Sequence, residues 1–266
     1  MRRSNASWPV EDDVVEKRIV LKSATELAKM RRAGRIVAEV LAALREMIRP
    51  GLTTAALEAR AVELATRLGG IPSFKGYNGF PAALCVSVND EVVHGIPGSR
   101  RLLEGDIVSL DFGAIYEGYH GDGAITVPVG SVSAEAARLL RVTEEALALG
   151  IAAAREGNRL LAIGRAIQEH VEAAGFSVVR DLVGHGIGRA MHEPPQVPNY
   201  VAGFTYNPRL RRGMTLAIEP MVNVGGFEVR TLLDGWTVVT KDGSLSAHFE
   251  HTVVITEGEP EIMTRL

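Results

Sequence analysis

The chain is 266 residues long, with 29 Lys+Arg against 32 Asp+Glu, a formal net charge of −3, 46% hydrophobic and 23% charged residues. Such ordinary globular composition excludes a wholly disordered or collagen-like chain and argues against a dedicated nucleic-acid binder, which shows as a strongly basic domain. A single cysteine, Cys85, excludes an internal disulfide and a Cys-rich zinc site, so any metal must be held by His and carboxylates.

Residues 1–18 read as a flexible tail, because polar Ser4 and Asn5 and acidic Glu11 to Asp13 interrupt any signal-peptide-like apolar run. No later run reaches the roughly 18 apolar residues of a membrane span, so the expectation is a cytoplasmic protein outside the membrane. A single catalytic domain is expected over residues 19–266. Its first helix opens at a capping box, Ser23 with Glu26, and carries apolar or small residues at Leu27, Met30, Gly34, Val37, Leu41, Leu44 and Ile48 until Pro50-Gly51 stops it. A second helix follows through Leu57, Ala61, Leu64 and Leu68 to Gly69-Gly70. The arrangement returns after Ser133: one helix runs through Leu140, Thr143 and Leu147 to Gly157, and another, capped by Asn158, ends at Gly175.

Residues 28–69 align without gaps to 134–175 at a shift of 106, with identities at Arg32/Arg138, Arg35/Arg141, Glu39/Glu145, Leu41/Leu147, Gly51/Gly157, Glu63/Glu169 and Gly69/Gly175. RLLEGDIVSLDFG then matches RLRRGMTLAIEP at a shift of 108, setting Asp111 against Glu219, and YHGDGAITV matches AHFEHTVVI at a shift of 128, setting Asp122 against Glu250. Two pseudo-repeats, about 24–130 and 131–258, therefore predict an α+β fold with a central, mostly antiparallel sheet backed by four helices.

Four acids at matched positions in apolar strands fall on an inner face by the period-2 rule. Crowded like charges and desolvation penalise them unless protons or cations intervene, and no basic run accompanies them. Two divalent ions balance four carboxylates, with His185 as a neutral nitrogen ligand in GHGIG. Such ligation suits Mn, Fe(II) or Co, with Zn also compatible. Paired ions that clamp a shared water turn it into hydroxide near neutral pH, which points to hydrolysis. His120 and His248, each two residues before an acid, read as orienters of the ligands; His170 and His251 read as structural. Cys85 in ALCVSV reads as a small buried apolar residue rather than a nucleophile.

The motifs VVHGIPG, VSLDFGA, YHGDGAITV, GHGIGRAMHEPP, LAIEPMV and DGWTVVTKDGSLSAHFEHTVV together resemble the type I methionine aminopeptidases of the creatinase, or pita-bread, family, over nearly everything from Ile19 to Met263. The resemblance implies the pseudo-twofold pita-bread fold, with Asp111 on one metal, Asp122 and Glu250 bridging, and His185 with Glu219 on the other. It implies removal of the N-terminal methionine of nascent proteins and peptides, preferably before a small second residue, with a metal-bridging hydroxide attacking the first carbonyl. Glu219 acts there as proton shuttle, His192 holds the oxyanion and His94 positions the scissile amide. A methionine pocket is expected from Tyr77, Phe80, Cys85 and Trp236, with Met191 beside His192; Phe80, Met191 and Gly123 depart from the residues frequent in the family. Implied partners are peptide and nascent-chain N-termini, with transient ribosome association, no specific nucleic acid and a monomeric state. The competing expectations are a proline-specific aminopeptidase of the same fold and a non-catalytic peptide- or ribosome-binding scaffold.

Overall fold

The computed structural model describes residues 19–201, 203 and 206–266. The tail expected over 1–18 lies outside the described residues. Four helices appear where the sequence predicts them: α1 (Ala24–Met47), α2 (Thr54–Arg67), α3 (Ala134–Ala153) and α4 (Leu161–Ala173). In α1 the Ser23 side chain accepts from the Glu26 amide while the Glu26 carboxylate accepts from the Ser23 amide. That satisfies two of the four amide donors that a helix start leaves open. The start of α4 differs from expectation. Asn158 does not cap it; its amide group donates to the Ala153 carbonyl, and the Leu161 amide instead donates to Asn207 Oδ1, 46 residues away. A cap brought in by tertiary structure leaves no local sequence signature.

The strands of the first half are β1 (Ile71–Pro72), β2 (Cys85–Val88), β3 (Glu91–Val93), β4 (Ile107–Tyr116) and β5 (Tyr119–Pro128). Those of the second are β6 (Ser177–Val178), β7 (Gly184–Gly186), β8 (Glu193–Val197), β9 (Thr215–Ile218), β10 (Met221–Asn223), β11 (Val229–Thr231), β12 (Val238–Thr240), β13 (Ser246–His248), β14 (Glu250–Val254) and β15 (Glu261–Ile262). The main sheet runs β1-β4-β5-β14-β9-β7-β8, with β2 on β4 and β15 on β14. Its pairings are antiparallel. The halves meet where β5 pairs β14, with Glu250 opposite Ala124 and His251 opposite Gly123.

The duplication is visible as contacts, not only as identities. Arg32 donates to the Leu68 carbonyl at 2.8 Å and Arg138 to the Ala174 carbonyl at 2.9 Å. Arg101 donates to the Gly51 carbonyl at 2.7 Å, and Arg209 to the Gly157 carbonyl at 2.9 Å. Arg35 pairs with Glu39 and Arg141 with Glu145. Even the isolated bridges recur, Thr53 with Arg101 and Arg159 with Arg209. Shared helical composition alone cannot generate these paired arrangements. Each half also builds its own apolar core: Val37, Leu41, Leu57 and Leu110 in the first, and Val142, Leu147, Ile163 and Ile218 in the second.

Helix α1 lies close on the sheet. A Cβ added to Gly121 would fall 2.7 Å from the Gly34 nitrogen, and one added to Gly34 would fall 2.4 Å from the Met263 carbonyl oxygen. Both positions need a residue without a side chain, and this contact fixes the depth at which β5 presents its carboxylate.

Candidate active site

Antiparallel pairing of β4 with β5 sets Gly113 opposite Asp122 and Asp111 opposite Ala124, so the two aspartates stand two residues apart along the pair on one face. Cys85 lies opposite Asp111 on β2. Across the junction, Glu250 opens β14, Glu219 directly follows β9, and β7 brings His185 opposite Ala217. A register shift between His185 and Gly186 in the β7–β8 pair bends that edge; bulges of this kind re-aim side chains.

Ligand atoms of Asp122, His185 and Glu250 all lie within 4.8 Å of one another, and the three residues are buried. His185 Nε2 stands 3.5 Å from Glu219 Oε1, while its Nδ1 meets the Gly186 carbonyl at 2.9 Å. With Nδ1–H donated to that carbonyl, the Nε2 lone pair faces the acids, the arrangement by which a backbone oxygen fixes an imidazole for metal ligation.

Electrostatics of the cluster point the same way. Burial, then the charge of Asp122, holds the Asp111 carboxyl well above the usual range. Burial pushes Asp122 up to about 7 against the opposing Gly123 amide. Glu219 and Glu250 are raised well above normal by burial first and by the neighbouring carboxylates next. His185 is lowered to about 3, again chiefly by burial, and is therefore neutral at physiological pH. Among the described residues no lysine or arginine pairs with any of the four acids. Asp111 Oδ1 and Glu250 Oε1 are buried without a hydrogen-bond partner. Buried carboxylate oxygens left unpaired are costly. Oxygen-rich, cation-starved and holding one neutral imidazole, the cluster fits divalent first-row ions.

The remaining expected residues surround this cluster in two groups. His192 stacks on Tyr77 with ring centroids 5.4 Å apart, and its Nδ1 lies 2.7 Å from the Tyr77 hydroxyl; its ring is 4.1 Å from that of His185. On the other side Phe80, Cys85 and Trp236 pack together, Phe80 meeting Trp236 edge to face at 5.1 Å, and His94 lies 6.4 Å from the Trp236 ring. His94 sits at φ 60°, a left-handed conformation uncommon outside glycine, and is lowered to about 4 by burial and by His192. Met191 is buried with Met30, Tyr119, Ile187 and Met263, Tyr77 packs against the same cluster, and a Cβ added to Gly113, opposite Asp122, would fall 3.1 Å from the Met191 Cε.

Of the two expected orienters, His120 shares strand β5 with Asp122 and stands close enough to His185 and His192 to depress both. His120 Nδ1 meets the Ser73 hydroxyl at 3.1 Å, and both ring nitrogens of His248 are buried without hydrogen bonds. Phe249 separates β13, which ends at His248, from β14, which begins at Glu250, so the two residues do not share a strand. His170 pairs with Glu145 and His251 with Thr264. Sequence reading missed three residues. Phe74 packs against both the Phe80 and the Met191 groups. Asn199 donates to the Glu219 carbonyl at 3.0 Å, and Thr252 ties Asp122 to β14. None carries a motif; they matter only through contacts distant in sequence.

Buried carboxylates around a neutral imidazole, bordered by further histidines and an aromatic-lined recess, define the class as metal-dependent hydrolases. The description "Metallopeptidase family M24" matches residues 28–257, and the chain belongs to that family. A methionine aminopeptidase of Clostridium perfringens is 55% identical over 246 residues, 92% of this chain and 98% of the relative. Methionine aminopeptidase 1 of Bacillus subtilis is 54% identical over 248 residues, covering 93% and 100%. The crystal structure of a methionine aminopeptidase from Thermotoga maritima superposes with a TM-score of 0.90 at 49% identity, covering 94% of this chain and all of that one. The duplicated sheet is thus the pita-bread fold.

Proposed function

We propose that the chain removes the N-terminal methionine of peptides and nascent chains by metal-dependent hydrolysis, preferentially before a small second residue. The carrying observation is the convergence of the buried Asp122, His185 and Glu250 within 4.8 Å, with no lysine or arginine paired to the acids among the described residues. Identity of about half over nearly the full length to relatives named for methionine supports this reading over proline specificity. All five expected ligand residues are present, which supports catalysis over a scaffold role.

In this reading Asp111, Asp122, His185, Glu219 and Glu250 hold two divalent ions, drawn from Mn, Fe(II), Co and Zn. Bound ions supply Lewis acidity and lower the pKa of water toward about 7. The chain's own groups do the rest. The substrate's free N-terminal amine would dock at the centre these five residues hold. Glu219, whose proton affinity burial and neighbouring charge raise, takes the proton of the attacking water and delivers it to the leaving amine. His192, lowered to about 4 and hence neutral, keeps Nδ1 on the Tyr77 hydroxyl and offers Nε2–H to the oxyanion as charge develops. His94 positions the scissile amide from its constrained backbone. Phe80, Cys85 and Trp236 floor the methionine pocket, with Tyr77 at its side; aromatic rings and a soft thiol suit a thioether. Action on nascent chains implies a cytoplasmic monomer that meets ribosomes transiently; among the described residues no helix is long and apolar enough to cross a membrane.

Metal-loaded protein offered Met-Ala-Ser, Met-Trp-Ser and Ala-Pro-Ser tests the reading by mass spectrometry. Free methionine should appear fastest from Met-Ala-Ser and slowest from Met-Trp-Ser, with Ala-Pro-Ser intact. Preferential cleavage of Ala-Pro-Ser, or binding without cleavage, would overturn it.

A further inference from the structure

We infer that Lys22 and Glu193 are positioning residues for His192, a reading that rests on the function proposed above. Lys22 Nζ donates to Glu193 Oε2 at 2.6 Å, with the lysine side chain 3% and the glutamate side chain 14% exposed. An ion pair so buried, 171 residues apart in sequence, stands out because the other Lys or Arg pairs among the described residues are far more exposed.

Both partners are themselves held. The Lys22 amide donates to the Gly213 carbonyl at 2.8 Å, and Lys22 Nζ also reaches the Val20 carbonyl at 3.3 Å. The second oxygen of Glu193 accepts from the Ala190 amide at 3.2 Å, closing a loop over 190–193 that contains Met191 and His192. Just before it the Gly188 amide donates to the Ala190 carbonyl, and the Gly188 carbonyl accepts from the His120 amide. A Cβ on Gly188 would fall 2.3 Å from Lys22 Cε and 2.6 Å from Glu193 Oε1, so the clasp presses directly on the turn. Glu193 also sits opposite Gly186 at the register shift that separates the His185 and His192 arms.

The consequence is geometric. His192 precedes Glu193 directly, and its imidazole must reach both the Tyr77 hydroxyl and the space beside His185. Releasing the clasp leaves one charge buried and unpaired, so the loop must rearrange to hydrate it. Misplacement by about 1 Å costs about 10²-fold in rate when the displaced group acts in the transition state.

The test is a double-mutant cycle between Lys22→Met and His192→Ala, with Met-Ala-Ser turnover as readout and Glu193→Gln as the near-isosteric second variant. In the native background either clasp substitution should lower kcat by about tenfold or more with KM nearly unchanged; in the His192→Ala background the further loss should be under about twofold. Equal losses in both backgrounds, or no loss in the native one, would overturn the assignment, because a purely structural role is additive. A second readout needs no turnover. In protein carrying 13C-methyl methionine, Glu193→Gln should shift the Met191 methyl resonance and leave that of Met47, at the far end of α1, in place. Unmoved Met191 would refute the clasp even if the native protein failed to cleave methionine, whereas a moved Met191 with an inactive native protein would refute the proposed activity and not the clasp.

Discussion

Asp122 and Thr252 are locked by reciprocal bonds: the Asp122 amide donates to Thr252 Oγ1 at 2.9 Å, and that hydroxyl donates to the Asp122 carbonyl at 2.8 Å. This stitch joins β5 of one half to β14 of the other, two residues from Glu250, so the two carboxylates are held together by strand and hydroxyl contacts despite their mutual repulsion. Thr252→Val removes both bonds from a fully buried position and should destabilise the fold by about 1–3 kcal/mol. Urea denaturation of the two proteins measures it. The same substitution should weaken metal uptake, read by titration with a competing chelator.

Metal binding should be coupled to proton release. Burial pushes Asp122 up to about 7 and holds Asp111, Glu219 and Glu250 well above the usual carboxylate range, so the metal-free cluster retains protons that a cation must displace. Apparent affinity should rise by about tenfold per pH unit for each proton displaced. Calorimetry in two buffers of different ionisation enthalpy counts those protons.

The same shifts set the pH dependence of metal-free stability. Acids raised in the folded state stabilise it while protonated and lose that contribution as pH rises through their folded values. Histidines 94, 185, 192, 248 and 251, lowered to between about 3 and about 4, act oppositely: their contribution is lost as pH falls from about 6.5. Between about pH 7.5 and 8.5 those histidines are about nine-tenths or more neutral even when unfolded, so the acids dominate. Metal-free protein should therefore melt at lower temperature as pH rises across that window, and saturating metal should remove the slope. Thermal scans at constant ionic strength decide it.

Gly121→Ala should separate packing from chemistry. Its new methyl would meet the α1 backbone at Gly34 and force the helix off the sheet, at a cost of about 1–3 kcal/mol. Chemical denaturation measures the loss; an unchanged midpoint would show that α1 yields freely.

Local signals carried much of the fold. Ser23 and Glu26 announce α1 because both partners of the capping box lie within one turn, and the acids of the repeat announce the cluster because duplication writes each position twice. Long-range partners had no such signature. Asn207 caps α4 in place of Asn158 because the approach to β9 brings it there. Met191 neighbours His192 in sequence, yet its packing with Met30 and Met263 comes from elements far off in the chain. His248 shares a spacing with His120 but not a strand with Glu250. Alternation transmits a side chain's direction only while the strand continues.

The central claim is that opposed carboxylates from the two halves grip the cations that make hydrolysis work. Its most direct measurement is methionine release from Met-Ala-Ser by chelator-stripped protein as Co or Mn is titrated back, with bound metal counted in parallel and Glu250→Ala as control. Release should rise with bound metal and be lost in the variant. Release that persists in stripped protein, or folded protein that takes up no divalent metal, would contradict it.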